Sequence, residues 1–196
     1  MTNFQRINHN DMNWAEQIRK DNRLAFSNLF ETYYEPLCEY AYSYVKHEER
    51  MEDIVQEVFV RLWEKRKRWE PKVAVRAYLY RSVYQQVINN YQKKRFEVTT
   101  HEDSMDQIAD DRVSPLENLH YKEHDEVFQQ TIKLLPERRR EILELKLVHG
   151  LSYKEISMVL NISVNTVDTQ IRQALKFLRK NLNHFARLRK VQYPDE

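Results

Sequence analysis

Residues 150–180 read GLSYKEISMVLNISVNTVDTQIRQALKFLRK, and this stretch decides how the second half of the chain folds. Ser152 and Glu155 have the S-x-x-E spacing of a capping box, which opens a helix. That helix must be short, because Asn161 tolerates the left-handed conformation of a tight turn. Ser163 can then cap a second helix. The stretch therefore predicts a helix-turn-helix.

The second helix of this pair has an apolar and a polar side. Its predicted buried stripe follows helical spacing and comprises Val164, Val167, Ile171, Leu175 and Leu178. The predicted DNA contacts lie on the polar side or at its edge and are Ser163, Asn165, Thr166, Asp168, Thr169, Arg172 and Lys176. Asn can pair with adenine, Arg with guanine, and Asp can accept from cytosine. This helix is therefore predicted to read base edges in the major groove.

The charge along the same helix supports DNA binding. Between Val164 and Lys190 the only acid is Asp168, against seven Lys and Arg residues, a surplus suited to phosphates. An ordinary helical hairpin with a solvated basic face would carry the same charges. Because capping, turn and polar face agree in one stretch, nucleic-acid binding is the favoured interpretation.

Composition predicts an all-α protein with two small helical domains. The 196 residues include one glycine and five prolines, which argues against a sheet rich in tight turns. Residues 1–95 carry 17 basic and 13 acidic side chains, and residues 119–196 carry 14 and 10. Between them, residues 96–118 carry one and seven, without periodicity. We therefore expect two mildly basic domains joined by an acidic flexible linker.

Two absences bear on location. Cys38 is the sole cysteine, so no intramolecular disulfide can form, and we interpret it as a small core residue. The first ten residues, MTNFQRINHN, lack the apolar run of a signal peptide, and no stretch approaches the length of a membrane span. The sequence predicts a cytoplasmic protein.

Three helices are predicted in the first 65 residues. Asp21 is expected to cap a helix that breaks near Pro36, and a further apolar series continues to about His47. The third helix starts at Met51, with an inward stripe of Met51, Ile54, Val55, Val58 and Leu62. Its outer face includes Asp53, Gln56, Glu57 and Val60. Carboxylates would repel DNA phosphates, so this acidic, partly apolar face is predicted to bind another protein.

A basic loop, residues 66–76, leads into a fourth helix. Its predicted inward side chains are Leu79, Tyr80, Val83, Val87 and Tyr91. The opposite face combines an aromatic ring, basic groups and amides, and comprises Tyr78, Arg81, Gln85, Asn89 and Gln92. Such a face suits a DNA strand whose bases have left the stack. A solvated face explains this pattern equally well.

Three segments together resemble a known family: EDIVQEVFVRLWE, RAYLYRSV and LPERRREILELKLVHGLSYKEISMVLNISVNTVDTQIRQALKFLR. They are similar to the two blocks of the extracytoplasmic-function group of sigma-seventy-type factors, over roughly residues 21–95 and 119–182. The resemblance implies a subunit that binds core RNA polymerase, directs it to promoter DNA and helps to open the duplex. It also implies an inhibitory anti-sigma factor as a partner.

The resemblance also implies residue roles. Core polymerase binding falls on Asp53, Gln56 and Glu57, on the same face as Val60. The minus-ten recognition and melting region falls on residues 69–95, with Trp69, Lys72, Arg76, Tyr78, Arg81, Gln85 and Asn89 as expected contacts. The minus-thirty-five reader is the helix from Val164. The chain departs from the family pattern at Tyr84-Gln85, Asn89 and Asp168, so relatives do not supply its promoter sequence.

A helix that opens the second domain is expected from the cap-like run Ser114, Pro115 and Glu117 to Leu134 or Leu135. The next helix, within LPERRREILELKLVHG, should bury Ile142, Leu143 or Leu145, and Leu147. Gly150 stands at its end, where a C-cap needs a positive φ.

Two other function classes have some support in the sequence. Residues 120–124 match the H-x-x-E-H pattern of inverted zinc peptidases, but no third ligand is evident. The single glycine excludes a glycine-rich nucleotide loop, and the serines and histidines show no arrangement of a nucleophile with its base. No cofactor, metal or catalytic residue is predicted, and RNA synthesis would belong to the polymerase. The main alternative is a free-standing helix-turn-helix repressor or activator, which has no need of the acidic face around Asp53.

Overall fold

A computed structural model describes the backbone of residues 3–45, 47–71, 74–98 and 131–192, and the side chains of residues 11–45, 47, 50–71, 74–90 and 131–181. All the regular secondary structure in these ranges is helical, as predicted, and short turns join the helices. The described chain forms two compact units. The first holds the described residues up to 98 together with 158–161, and the second holds the remainder. None of the described helices has the length and apolar character required to cross a membrane.

The first unit is a bundle built around its second helix. Its elements are α1 (Asn3–Arg19), α2 (Arg23–Val45), α3 (Glu48–Glu64), a 3-10 turn (Arg66–Arg68) and α4 (Val75–Val98). Helix α2 packs against α1, α3 and α4. The α3 and α4 side chains predicted to face inward are largely buried, namely Ile54, Val55, Val58, Leu62, Leu79, Tyr80, Val83 and Val87, whereas Met51 is only partly buried. Cys38 is buried as predicted.

The predicted break at Pro36 is wrong, because α2 runs through it without interruption. Proline removes the hydrogen bond to the carbonyl four residues earlier, at a cost of about 3 kcal/mol in a helix interior. Leu29 and Tyr33 before it and Leu37 after it are all buried. Burial on both sides of Pro36 offsets that loss and keeps the helix continuous.

The predicted cap at Asp21 is also wrong, by one residue. Asn22 caps α2, because its Oδ1 accepts a hydrogen bond from the Ala25 backbone N–H at 3.1 Å. Asp21 instead has a φ of 66° and forms the turn between α1 and α2. Aspartate visits this left-handed region more readily than most residues, since its short polar side chain can hydrogen-bond locally.

Aromatic side chains join α2 to α3 and so fix the face that α3 leaves outside. Phe26 lies 4.9 Å from Trp63 and 6.1 Å from Phe59 between ring centroids. Phe30 lies 4.8 Å from Phe59 in an edge-on arrangement. Tilted and edge-on pairs of this kind add to the stability supplied by burial.

The second unit contains helical residues 131–133, then α5 (Glu137–Leu147), the first five residues (153–157) of α6 (Tyr153–Leu160), and α7 (Val164–Gln192). Helix α5 packs against α7. A buried cluster joins residues 132–135 to α5 and α7 and comprises Ile132, Leu135, Leu143, Ala174 and Leu178, with Val148 and Phe177 packed against it. The predicted start of the unit at Ser114 lies outside the described residues.

The end of α5 confirms the prediction for Gly150 and contradicts the prediction for Leu147. Gly150 has a φ of 63°, as predicted, and the Leu151 N–H donates to the Leu145 carbonyl at 2.9 Å. Leu143 and Leu145 are both buried, but Leu147 is 50% exposed. The prediction that Leu147 faces inward is wrong, since it lies about 140° of helix rotation from the buried Ile142.

Candidate nucleic-acid interface and polymerase-binding face

Local hydrogen bonds define the helix-turn-helix. The predicted capping box forms: Ser152 N–H donates to Glu155 Oε2 at 2.8 Å, and Glu155 N–H donates to Ser152 Oγ at 3.3 Å. Asn161 has a φ of 52°, and the N–H of Ile162 donates to the Ser157 carbonyl at 3.0 Å. Ser163 Oγ then accepts from the backbone N–H three residues later at 3.0 Å, which caps α7. The predicted capping box, the turn at Asn161 and the cap at Ser163 are all confirmed.

The buried stripe of α7 is narrower than predicted. Val167, Ile171 and Leu178 are buried, together with Ala174. Val164 and Leu175 are 44% and 46% exposed, so the prediction that they face inward is wrong. At about 100° of rotation per residue, both lie roughly 50–70° from the centre of the buried stripe, on the side next to Asp168. The exposed face of α7 therefore includes apolar as well as polar groups.

The predicted DNA contacts on α7 differ in what they already bind. Ser163 and Thr166 serve the cap, and their hydroxyl oxygens lie 2.8 Å apart. Asp168 and Arg172 form an ion pair across one helical turn. The other three are exposed and hydrogen-bond to no described side chain, namely Asn165, Thr169 and Lys176. Together with Arg172, these three lie within about 60° of helix rotation, so they can meet one stretch of DNA.

An arginine on α5 fixes the orientation of α7. The Arg139 guanidinium donates through Nε to Gln170 Oε1 at 3.1 Å and through Nη2 to Gln173 Oε1 at 2.6 Å. One planar guanidinium thus spans two amides three residues apart. The contact holds the N-terminal half of α7 and so sets the direction in which its polar face points. Sequence reasoning did not find Arg139, because no spacing rule links residues more than thirty positions apart.

The outer face of α3 carries the predicted partner-binding residues. Asp53 and Gln56 are exposed, and Val60 is 52% exposed. Glu57 is partly exposed and forms an ion pair with Arg61 one turn on. Asp53 makes no salt bridge with the described residues, so it presents an uncompensated charge beside an exposed apolar side chain.

Gln56 links this outer face to α2. Burial raises the pKa of the Tyr34 phenol, and a hydrogen bond with the Gln56 side chain acts in the opposite direction. A large helix surface with exposed Val60 at its centre and charge around it has the composition of a protein interface.

Two residues predicted to touch a DNA strand are buried in the first unit. Trp69 is 4% exposed and its ring centroid lies 5.7 Å from that of Tyr78, while Arg76 is 6% exposed. The prediction that Trp69 and Arg76 contact DNA directly is therefore wrong for this structure. Trp69 packs against Tyr78 and so positions the Tyr78 ring, which is the more exposed of the two.

Arg76 belongs to a buried polar group that joins α1, α2 and α4. The Tyr33 hydroxyl donates to Asp11 on α1, and both residues are buried. Burial, followed by the neighbouring Asp11 carboxylate, raises the pKa of Tyr33, while Arg76 acts in the opposite direction. The hydroxyl therefore stays protonated and able to donate. The positive charge of Arg76 therefore lies within this buried group and not on the protein surface.

The remaining predicted contacts on α4 are accessible. Tyr78 and Arg81 are partly exposed, and Gln85 and Asn89 are exposed. Lys72 lies outside the described residues, as do the side chains of Gln92 and the basic residues after it. An accessible ring, a guanidinium and two amides thus follow one another along α4, an arrangement able to stack on and hydrogen-bond unpaired bases.

No metal centre is found in the described portion of the chain. Groups of three or more His, Cys, Asp or Glu side chains arranged to hold a metal ion do not occur there. The H-x-x-E-H pattern at residues 120–124 lies outside the described residues.

Comparison with known proteins agrees with both halves of the chain. Residues 29–97 match the family model described as Sigma-70 region 2, and residues 125–178 match Sigma-70, region 4. The ECF RNA polymerase sigma factor SigW of Bacillus subtilis (strain 168) is 30% identical over 175 residues, which cover 85% of this chain and 94% of that protein.

Two solved structures share the fold. The structure of CnrH in complex with the cytosolic domain of CnrY has a TM-score of 0.60 and 24% identity, covering 89% of this chain and 98% of that one. The sigma factor RpoE of Bartonella quintana, in complex with the anti-sigma factor NepR, has a TM-score of 0.59 and 18% identity, covering 81% and 96%.

The chain therefore belongs to the extracytoplasmic-function group of the sigma-70 family. It is an RNA polymerase sigma factor that directs transcription initiation at promoters. The alternative of a free-standing repressor or activator is not favoured, because the matches cover a region 2 as well as the helix-turn-helix.

Proposed function

We propose that the two compact units divide promoter recognition between them. In this proposal residues 1–95 bind core polymerase and the minus-ten element, residues 96–118 are a flexible linker, and residues 119–196 bind the minus-thirty-five element. The family matches over residues 29–97 and 125–178 support these boundaries.

The observation that carries the proposal is the exposed polar face of α7. It stands on a fully capped helix-turn-helix and combines an amide, a hydroxyl and two cations in Asn165, Thr169, Arg172 and Lys176. In helix-turn-helix proteins the second helix lies in the major groove with its first turns against base edges. Asn165, Thr169 and Arg172 would read bases, and Lys176 would contact phosphate.

Core polymerase would bind the outer face of α3. Asp53 supplies a negative charge that no described residue pairs with, and Val60 supplies apolar area at the centre of the same face. This combination favours a partner surface with basic groups around an apolar patch. Gln56 and Glu57 would complete the contact.

The minus-ten strand would bind along α4. Tyr78 would stack on an unpaired base, Arg81 would contact phosphate, and Gln85 and Asn89 would pair with base edges. Each unit alone would bind weakly, and attachment of both to one polymerase would make the second DNA contact effectively intramolecular.

Regulation and location follow from the same assignment. CnrH and RpoE were each determined with a partner, the cytosolic domain of CnrY and the anti-sigma factor NepR, which supports an anti-sigma factor for this chain. The chain would act in the cytoplasm, with the DNA and the polymerase. It would carry no catalytic step of its own, since nucleotide addition takes place on the polymerase.

A binding experiment with core RNA polymerase tests this assignment. We expect the labelled full chain to bind purified bacterial core, and Asp53→Arg/Glu57→Arg to bind at least tenfold more weakly. Glu16→Arg/Glu31→Arg makes the same change of charge at exposed positions on α1 and α2 and should bind normally. Equal binding of core by wild type and Asp53→Arg/Glu57→Arg would remove α3 as the docking face.

A further inference from the structure

The one acid on the recognition helix already has a partner on the same helix. Asp168 Oδ2 accepts from Arg172 Nη2 in an ion pair between residues four apart on α7. The Asp168 side chain is 30% exposed and that of Arg172 is 75% exposed, so the carboxylate lies against the helix and the guanidinium reaches outward. An acid one turn before a cation is the favourable order for such a pair.

A carboxylate at this position carries a cost on DNA. Between Val164 and Lys190 it is the only acidic side chain in a strongly basic stretch, and DNA phosphates repel it. An Asp that accepts a hydrogen bond from cytosine would need its oxygens directed at the groove, yet here one oxygen is engaged by Arg172. The ion pair therefore indicates that Asp168 acts on DNA recognition through Arg172.

We propose that Asp168 is a positioning residue that sets the base preference of Arg172; this inference rests on the proposed function of α7. One nitrogen of the Arg172 guanidinium is engaged by the carboxylate, and the donors on the other two nitrogens remain for a ligand. A guanine presents two acceptors, O6 and N7, along its major-groove edge. Arg172 held in this way would bind that edge with both remaining groups.

Two physical effects make the pair a source of specificity. Arginine has many rotamers, and a partner that restricts them before DNA arrives reduces the entropy lost on binding. The carboxylate also disfavours positions of the side chain near phosphates, so Arg172 is directed to a base instead of the backbone. Asp168 would therefore increase discrimination between sequences while lowering affinity for DNA in general.

Selection from a DNA library tests the proposal. Duplexes randomised across the minus-thirty-five element would be selected by holoenzyme and, in parallel, by the full chain without core. The variants would be Asp168→Ala, Arg172→Ala and the double variant. Glu137→Ala is the matched control, because it also removes one exposed acid from the second unit without touching α7.

We expect Arg172→Ala to lose a guanine preference of about tenfold at one base pair. Asp168→Ala should lose about three- to tenfold of the preference at that same base pair, with equal or tighter binding to unrelated DNA. The double variant should match Arg172→Ala, and Glu137→Ala should keep the wild-type preference.

Three results would overturn the proposal. Asp168→Ala could leave the preference unchanged, could alter a different base pair from Arg172→Ala, or could add its effect to that of Arg172→Ala in the double variant. Selection by the full chain alone reports base preference even if core does not bind, so a failure of the proposed function is a separate result. A wild-type chain that selects no sequence in either form would contradict both.

Discussion

Asp21 accepts a hydrogen bond from Arg66 Nε at 2.5 Å and so joins two turns that lie 45 residues apart in the chain. Lys67 pairs with the same carboxylate. Arg66 also lies over the Trp63 ring at 4.3 Å and donates to the Trp63 carbonyl at 2.7 Å. Asp21 therefore holds the basic turn that leads from α3 towards α4, and with it the approach to the proposed minus-ten helix.

The Asp21 contacts predict a pH-dependent contribution to stability. Hydrogen bonds first from Lys67 and then from Arg66 lower the pKa of Asp21 below its usual 3.8. A lowered pKa in the folded state stabilises the fold above the unfolded-state pKa, and the stabilisation is lost as pH falls through the folded-state pKa.

Asp21→Asn tests that contribution without removing the residue's tolerance of a positive φ. We expect wild type to unfold at a higher urea concentration than Asp21→Asn at pH 7, by the small margin typical of exposed ion pairs. The difference should shrink once pH falls below about 4, where Asp21 begins to protonate in the unfolded chain, and should vanish only below the lowered pKa of the folded state. A difference that stays constant from pH 7 to pH 3 would mean that charge pairing is not its cause.

Gly150 predicts a sharp dependence on backbone geometry. The left-handed conformation costs a residue with a Cβ about 1–2 kcal/mol, and a β-branched residue more. Gly150→Val should therefore lower the thermal midpoint of the second unit by several degrees and weaken minus-thirty-five binding, with a smaller effect for Gly150→Asn. Circular dichroism melts and DNA titrations measure both; an unchanged Gly150→Val would contradict the assigned role.

The capping box predicts a difference between two serines. Ser152→Ala removes the acceptor for the Glu155 N–H and should destabilise the chain by about 1 kcal/mol in urea unfolding. Ser157 donates only to the Lys154 carbonyl inside α6, so Ser157→Ala should be close to neutral. Equal losses of unfolding free energy in the two variants would show that the capping box contributes no more than the hydroxyl of Ser157.

The observed stripe of α7 predicts that its two N-terminal valines have different functions. Val167→Ala removes buried methyl groups and should cost about 2 kcal/mol of stability. Val164→Ala should change stability by less than about 0.5 kcal/mol, since that side chain is half exposed. Exposed methyl groups at the start of a recognition helix can contact the thymine methyl, so Val164→Ala should reduce a thymine preference in DNA selection.

Local chemistry explains why the helix-turn-helix was predictable. The Ser152 and Glu155 cap, the turn at Asn161 and the positive φ at Gly150 each depend on the residue itself and its near neighbours. The Asp168 and Arg172 pair has the i, i+4 spacing of a helical ion pair and could have been found from the same pattern.

The errors at Pro36, Trp69 and Arg76 come from tertiary packing. Burial on both sides of Pro36 keeps α2 intact, although the residue type favours a break. Trp69 and Arg76 have side chains suited to DNA, yet the bundle buries them. The contacts of Asp21 and Arg139 join distant parts of the chain, so neither periodicity nor composition indicates them.

Transcription from a randomised promoter library by core polymerase and the full chain, with sequencing of the transcripts, tests the central claim most directly. Wild type should initiate at promoters that share two separated elements. Asp53→Arg/Glu57→Arg should lose initiation at all of them, whereas Asn165→Ala/Arg172→Ala should initiate with a relaxed upstream element. Initiation that does not depend on the chain, or equal use of all sequences by wild type and variants, would contradict its assignment as a two-element promoter reader.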